Sequence, residues 1–167
     1  MIRFLLFDLD NTLVDSLHLK PLRDARRWRE VFQRIESVST FAGISEVWRS
    51  LKERGAHLGI VTHSPRPYAT RVLEHVGLVP DNLIAYHDLR GRLKPSPYGY
   101  EQCCKGWRTQ ARVAVGDEQA DLLAADAFGC QGVYAGWARR PTLTAVQCRE
   151  AGWLYAEEPK NLLHVLA

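Results

Sequence analysis

Short apolar runs alternate with amphipathic stretches along this chain, the pattern of a parallel sheet covered by helices. The runs are Ile2–Phe7, His57–Val61, Leu83–Tyr86, Arg112–Val115 and Gln131–Tyr134. Strands buried on both faces need nearly continuous apolar segments of this kind. Between them, Ile44, Val47, Trp48 and Leu51 recur at helical spacing, and Gly55 follows as a stop. Ser64 as N-cap and Pro65 at the first helical position open the next helix, with Ala69, Val72, Leu73 and Val76 as its buried stripe and Gly77 at its end. Ser96-Pro97 repeats the start signal, and a further helix carries Leu122, Ala125 and Phe128 ahead of Gly129. The recurring strand–helix–strand order predicts an α/β fold, a three-layer doubly wound parallel sheet.

One stretch breaks the rhythm. Residues Pro21 to Val38 read as one amphipathic helix with the stripe Ala25, Trp28, Phe32 and Ile35, and with Arg23, Arg26, Arg27, Arg29 and Arg34 on its other faces. Those arginines either add affinity for an anionic substrate or form a solvated face balanced by Asp24, Glu30 and Glu36. Beyond Gly136 the chain offers an Arg-Arg-Pro turn, a short edge strand at Trp153–Ala156 and a terminal helix after Pro159. With 167 residues and no repeat or linker, residues 1–167 are expected to form one domain with a short helical insertion at about 16–40.

Composition adds little to this. A hydrophobic content of 46%, a charged content of 25% and a net charge of +3 describe an ordinary globular protein. The basic face lacks interleaved aromatics, so nucleic-acid binding is not supported. Cys103, Cys104, Cys130 and Cys148 form no Cys-x-x-Cys pair and no cluster with zinc-ligand spacing. The apolar run from Phe4 to Phe7 is too short for a signal-peptide core, and nothing approaches a membrane span. The expectation is a cytoplasmic protein with reduced thiols and no membrane partner.

The chemistry-bearing residues fall at strand ends, where doubly wound folds place their sites. The first strand runs into Asp8-Leu9-Asp10-Asn11-Thr12 and the second ends at Thr62-His63-Ser64. The third leads through a loop to Lys94-Pro95-Ser96-Pro97, and the fourth ends at Gly116-Asp117 with Asp121 four residues on. Each alone has an ordinary structural reading as a cap, a turn or a solvated loop residue. Together they differ: several carboxylates at one edge repel unless a cation sits among them. A hard divalent ion such as Mg²⁺ suits oxygen ligands, and Thr62, Lys94 and a helix start supply donors for phosphate oxygens. That combination fits phosphoryl transfer.

The ordered motifs 7-FDLDNTLVDS-16, 60-IVTHS-64, 93-LKPSP-97 and 115-VGDEQADLLAAD-126 resemble those of the haloacid dehalogenase-like (HAD) hydrolase superfamily. The resemblance spans about residues 2–136. It implies Asp8 as nucleophile forming an aspartyl phosphate and Asp10 as general acid and then base. It implies Mg²⁺ held by Asp8, the backbone carbonyl of Asp10 and Asp117, with Asp121 holding a metal-bound water or orienting Lys94. Thr62 and Lys94 would bind the phosphoryl group, and Leu9 and Asn11 would offer it backbone N–H groups. The dehalogenase branch lacks an acid at the position of Asp10, so the resemblance points to a phosphatase branch. His63 stands where many relatives have Asn; it either contacts the substrate or caps locally.

Neither the segment from Ser16 to Thr40 nor that from Ser64 to Leu93 has room for a full cap domain. The resemblance therefore implies an open site for a bulky phosphoester such as a phosphoprotein or nucleotide, or a small phosphorylated metabolite enclosed by a homo-oligomer. A phosphomutase of the same family, or a phosphate- or partner-binding module with little turnover, are the alternatives.

Overall fold

In the structure, a computed structural model describing residues 3–107 and 111–165, the first apolar run forms strand β1 (Arg3–Phe7). The expected start at Ile2 lies outside the described residues. A turn leads to β2 (Val14–Asp15), then helices α1 (Lys20–Asp24) and α2 (Trp28–Gln33), a 3₁₀ turn at Ile35–Ser37 and β3 (Ser39–Thr40). β2 and β3 pair antiparallel, Val14 with Thr40 and Asp15 with Ser39, and this ribbon closes the base of the insertion.

The regular α/β succession follows: α3 (Ile44–Glu53), β4 (His57–Val61), α4 (Arg66–Val76), β5 (Asn82–Ile84), α5 (Tyr98–Cys103) and β6 (Ala111–Gly116). It ends with α6 (Gln119–Phe128), β7 (Gln131–Ala135), α7 (Ala145–Glu150), β8 (Leu154–Ala156) and α8 (Leu162–Val165). β5, β4, β1, β6, β7 and β8 form, in that order, one wholly parallel sheet.

Alternation along β1 divides the core between two faces. Leu5 and Phe7 pack with Val47, Leu51, Ala69 and Val72 from α3 and α4. Phe4 and Leu6 pack with Tyr100, Cys103, Ala124 and Ala125 from α5 and α6. Two glycines set the layer spacing by having no side chain: a Cβ at Gly59 would meet Cys103 and Phe4, and one at Gly99 would meet Val61 and Leu89. No described helix is long and apolar enough to cross a membrane.

Three sequence expectations need correction. The stretch 21–38 is not one helix: α1 stops where Arg26 adopts φ +55°, and α2 starts anew at Trp28. The Arg26 N–H returns to Arg23 O and the Arg27 N–H to Leu22 O, so Arg26 caps α1 in the left-handed conformation that glycine usually supplies. The apolar stripe rotates accordingly. Val31, Ile35 and Val38 are buried, Trp28 and Phe32 pack against the core, and Ala25 is exposed. Secondly, Ser64 does not cap α4. The cap position is Pro65 and the helix starts at Arg66, because an acidic residue in the site takes the Ser64 hydroxyl. Thirdly, the third strand ends at Ile84, and Tyr86 opens a 3₁₀ turn through Leu89.

Candidate active site

The chain leaves β1 for β4 and β5, then returns through α5 to lay β6 against the other side of β1. β1 and β6 therefore flank the switch point, where the loops diverge and leave a crevice. Asp8 follows β1 and Asp117 follows β6, with the Asp8 N–H donating to Val115 O at 2.9 Å.

The first-motif loop folds on itself. Leu9 O accepts from the N–H groups of Thr12, Leu13 and Val14, and Asn11 takes φ +63°, a conformation Asn tolerates better than most residues. This turn aims Asn11 and Thr12 at Asp117: Asn11 Nδ2 donates to Oδ2 at 2.8 Å and Thr12 Oγ1 to Oδ1 at 2.9 Å.

Lys94 reaches the same point from the loop after β5. Its Nζ donates to Asp8 Oδ1 at 2.8 Å, Asp121 Oδ1 at 2.6 Å and Val61 O at 2.9 Å, which uses all three ammonium donors. Asp121 Oδ2 also accepts the Glu118 N–H at 3.0 Å, so one carboxylate caps α6 and fixes Lys94. A Cβ on Gly116 would collide with that carboxylate. No hydrogen bond reaches Asp8 Oδ2 among the described residues.

Oxygens of Asp8, Asp117 and Asp121 lie within 4.8 Å of one another. Burial, together with Asp121 and Asp117, pushes Asp8 well up against the pull of Lys94. Burial and Asp121 push Asp117 up to about 6 against the hydrogen bonds from Asn11 and Thr12. Burial alone would depress the Lys94 ammonium, but Asp121 and Asp8 outweigh it and raise it well above the usual range, so Lys94 stays charged. With all three carboxylates ionised, one ammonium would leave two negative charges uncompensated, which is why Asp8 and Asp117 are pushed toward their neutral forms in the absence of a cation. The all-oxygen donor set fits a hard divalent cation.

Asp10 stands apart from this cluster on the same cavity and is held by Ser16, Ser64, Tyr68 and Arg23. Burial and Asp10 push the Tyr68 phenol far up, so it remains a donor. Thr62 is buried and faces the cavity; its Oγ1 accepts from the Ser64 N–H at 3.1 Å, which leaves its own proton free to donate. The cavity has a volume of about 730 Å³ and runs from this edge to α1 and Trp28.

Residues 17–129 match the family described as haloacid dehalogenase-like hydrolase. That is over two thirds of the chain. The chain belongs to the haloacid dehalogenase-like hydrolase family. The matched residues include Thr62, Lys94, Asp117 and Asp121 and begin after Asp8 and Asp10. A similar protein is the validoxylamine A 7'-phosphate phosphatase of Streptomyces hygroscopicus subsp. limoneus, 27% identical over 182 residues, covering 77% of this chain and 83% of that one. Similar folds include a predicted phosphoglycolate phosphatase from Haemophilus somnus 129PT, with TM-score 0.80 and 18% identity over 99% of this chain and 98% of that one. CbbY from Rhodobacter sphaeroides, in complex with phosphate, has TM-score 0.73 and 17% identity over 97% and 96%.

Asp8, Asp10, Thr62, Lys94 and Asp117 line one cavity. One expectation changes. The Asn11 N–H donates to Val14 O at 2.8 Å, so its backbone is spent in the turn and its side chain does the bridging. The Leu9 side chain is buried in the core, while its N–H carries no hydrogen bond among the described residues. His63 faces the cavity, but its Nε2 accepts the Lys94 N–H at 3.0 Å. Burial and Lys94 hold its imidazole down to about 4, so a neutral His63 anchors the Lys94 backbone.

Other contributors were missed. Thr12, Ser16, Arg23, Ser64 and Tyr68 hold the acidic side chains. The Arg-Arg-Pro turn is also part of the site's frame. Arg139 exchanges two hydrogen bonds with Asn11 and pairs with Asp15, and Trp137 Nε1 donates to Thr12 O at 2.9 Å. Nothing in the spacing of residues 137–139 signals a partner more than a hundred positions away.

Proposed function

We propose that this protein is a Mg²⁺-dependent phosphatase that hydrolyses phosphate monoesters of small molecules through an aspartyl phosphate on Asp8. The observation that carries the reading is the state of Asp8. One of its oxygens is pinned by Lys94, the other is free of hydrogen bonds among the described residues, and two further carboxylates stand beside it.

Asp8 Oδ2 attacks phosphorus as the ester oxygen leaves. Asp10 gives that oxygen its proton and then takes one from the water that hydrolyses the aspartyl phosphate. Lys94 and the Thr62 hydroxyl bind phosphoryl oxygens, joined by the Leu9 N–H. Asp8, Asp117 and the backbone carbonyl of Asp10 would hold Mg²⁺, which supplies positive charge for the transferring phosphoryl group. Both oxygens of Asp121 are engaged by Lys94 and Glu118, which supports a supporting role for it. A cavity of about 730 Å³ lies within the range of small-molecule sites, which favours a phosphorylated metabolite over a macromolecule.

The Asp8→Asn variant should lose at least about a thousandfold in kcat toward an aryl phosphate, the scale set by removing a covalent nucleophile, while its melting transition persists. Chelation of Mg²⁺ should silence the wild type reversibly. Undiminished turnover by Asp8→Asn would exclude the aspartyl-phosphate route. A screen of phosphate monoesters ranked by kcat/KM then identifies the substrate class.

A further inference from the structure

Asp10 accepts three hydrogen bonds and faces one guanidinium. Ser16 Oγ and the Tyr68 hydroxyl donate to Oδ1, both at 2.7 Å. Ser64 Oγ donates to Oδ2 at 2.6 Å, and Arg23 Nη1 pairs with the same oxygen at 2.7 Å. Arg23 Nη1 donates its hydrogen bond to Ser64 Oγ at 3.3 Å, so Oδ2 is covered by one hydrogen-bond donor and one ion-pair partner. Under the reading proposed above, on which this inference rests, one carboxyl oxygen must nevertheless meet the leaving oxygen of the ester. One of these partners has to give way.

The four partners are not equally able to do so. Ser16 and Tyr68 are fully buried, and Ser64 is 7% exposed. Arg23 comes from α1, a five-residue helix with no buried residue. Its guanidinium lies over the Tyr68 ring, 5.4 Å from the centroid, and its Nε is buried without a hydrogen-bond partner among the described residues. Arg23 also lines the substrate cavity together with Asp10.

We propose that Arg23 is a positioning residue for Asp10. Its ion pair holds the Asp10 carboxyl group in register with the cavity, and it is the partner that moves off Oδ2 so that this oxygen can take up a proton from solvent and pass it to the leaving oxygen. The insertion thus contributes to the reaction through the alignment of the acid, using one side chain on its least embedded helix.

The test compares phenyl phosphate with p-nitrophenyl phosphate in Mg²⁺, two esters of similar size whose leaving groups differ in their need for a proton. A positioned acid contributes on the order of a hundredfold or more. Arg23→Ala should therefore lower kcat/KM by about tenfold or more for the phenyl ester and by less than about threefold for the p-nitrophenyl ester. Added guanidinium ion should restore the phenyl ester in part. In an Asp10→Asn background, Arg23→Ala should have no selective effect, since the group it acts through is gone. Equal losses for the two esters, no loss for either, or a selective loss that persists with Asp10→Asn would each overturn the inference and leave the phosphatase reading standing. A wild-type protein that hydrolyses neither ester would overturn that reading and this inference with it.

Discussion

Asp117 shows how a single residue carries both the cost and the purpose of the site. Its carboxyl is pushed up to about 6 by burial and Asp121, although Asn11 and Thr12 both donate to it. The metal-free folded protein therefore binds more protons than the unfolded chain between about pH 4, the ordinary aspartate value, and about 6. The stability this group contributes is present below that window and lost as pH rises through it. Asp117→Asn removes the titration. Without divalent cation, its melting temperature should gain on that of the wild type as pH is raised from about 4 to about 7; a difference independent of pH would count against a raised Asp117. The acidic residues themselves were legible in the chain. Their hydroxyl partners were not: Ser16, Ser64 and Tyr68 belong to residue types that occur everywhere, and only their approach to Asp10 gives them meaning.

The insertion, an element of its own, divides into parts with different roles. α1 has no fully buried residue and only Leu22 rests against the core, whereas Val31, Ile35 and Val38 join the same core as Leu5, Phe7 and Leu58 of the sheet. The stretch 28–38 is thus part of the domain's packing rather than a detachable lid. Ile35→Ala should cost about 2–5 kcal/mol of unfolding free energy, the range for emptying a buried aliphatic site. Arg29→Ala, on the exposed side of α2, should stay within about 0.5 kcal/mol. Chemical denaturation distinguishes the two, and equal effects would contradict this division. Periodicity located the insertion and its apolar residues, but not its break. Arg26 takes a left-handed conformation there without a glycine to announce it, because the core that receives Val31 and Ile35 sets the direction of α2.

At the scale of the molecule, the sheet order turns sequence distance into proximity. Asp8 and Asp117 meet because β6 returns to the side of β1, and Lys94 then bridges Asp8 and Asp121 from a third loop. If the proposed Mg²⁺ binds there, folding and cation binding become one equilibrium. At a Mg²⁺ concentration about a hundred times its Kd, mass action adds about 2.7 kcal/mol to stability. Wild-type protein titrated with Mg²⁺ should show a rising melting temperature, and Asp8→Asn and Asp117→Asn should show much less. Equal shifts in all three would place the cation elsewhere.

The sequence by itself determined the α/β class, the places where most strands and helices begin and end, and the acidic and basic residues standing at strand ends. These follow from local rules, since burial on two faces demands continuous apolar runs and helix ends demand particular residues. Only the tertiary structure decided that Ser64 serves Asp10 instead of capping α4, that the Asn11 side chain rather than its N–H does the work, and that Arg139 and Trp137 close the first-motif loop. A hydrogen-bonding group takes whichever partner packing leaves nearest in a dry interior, and that choice is made between segments far apart in the chain.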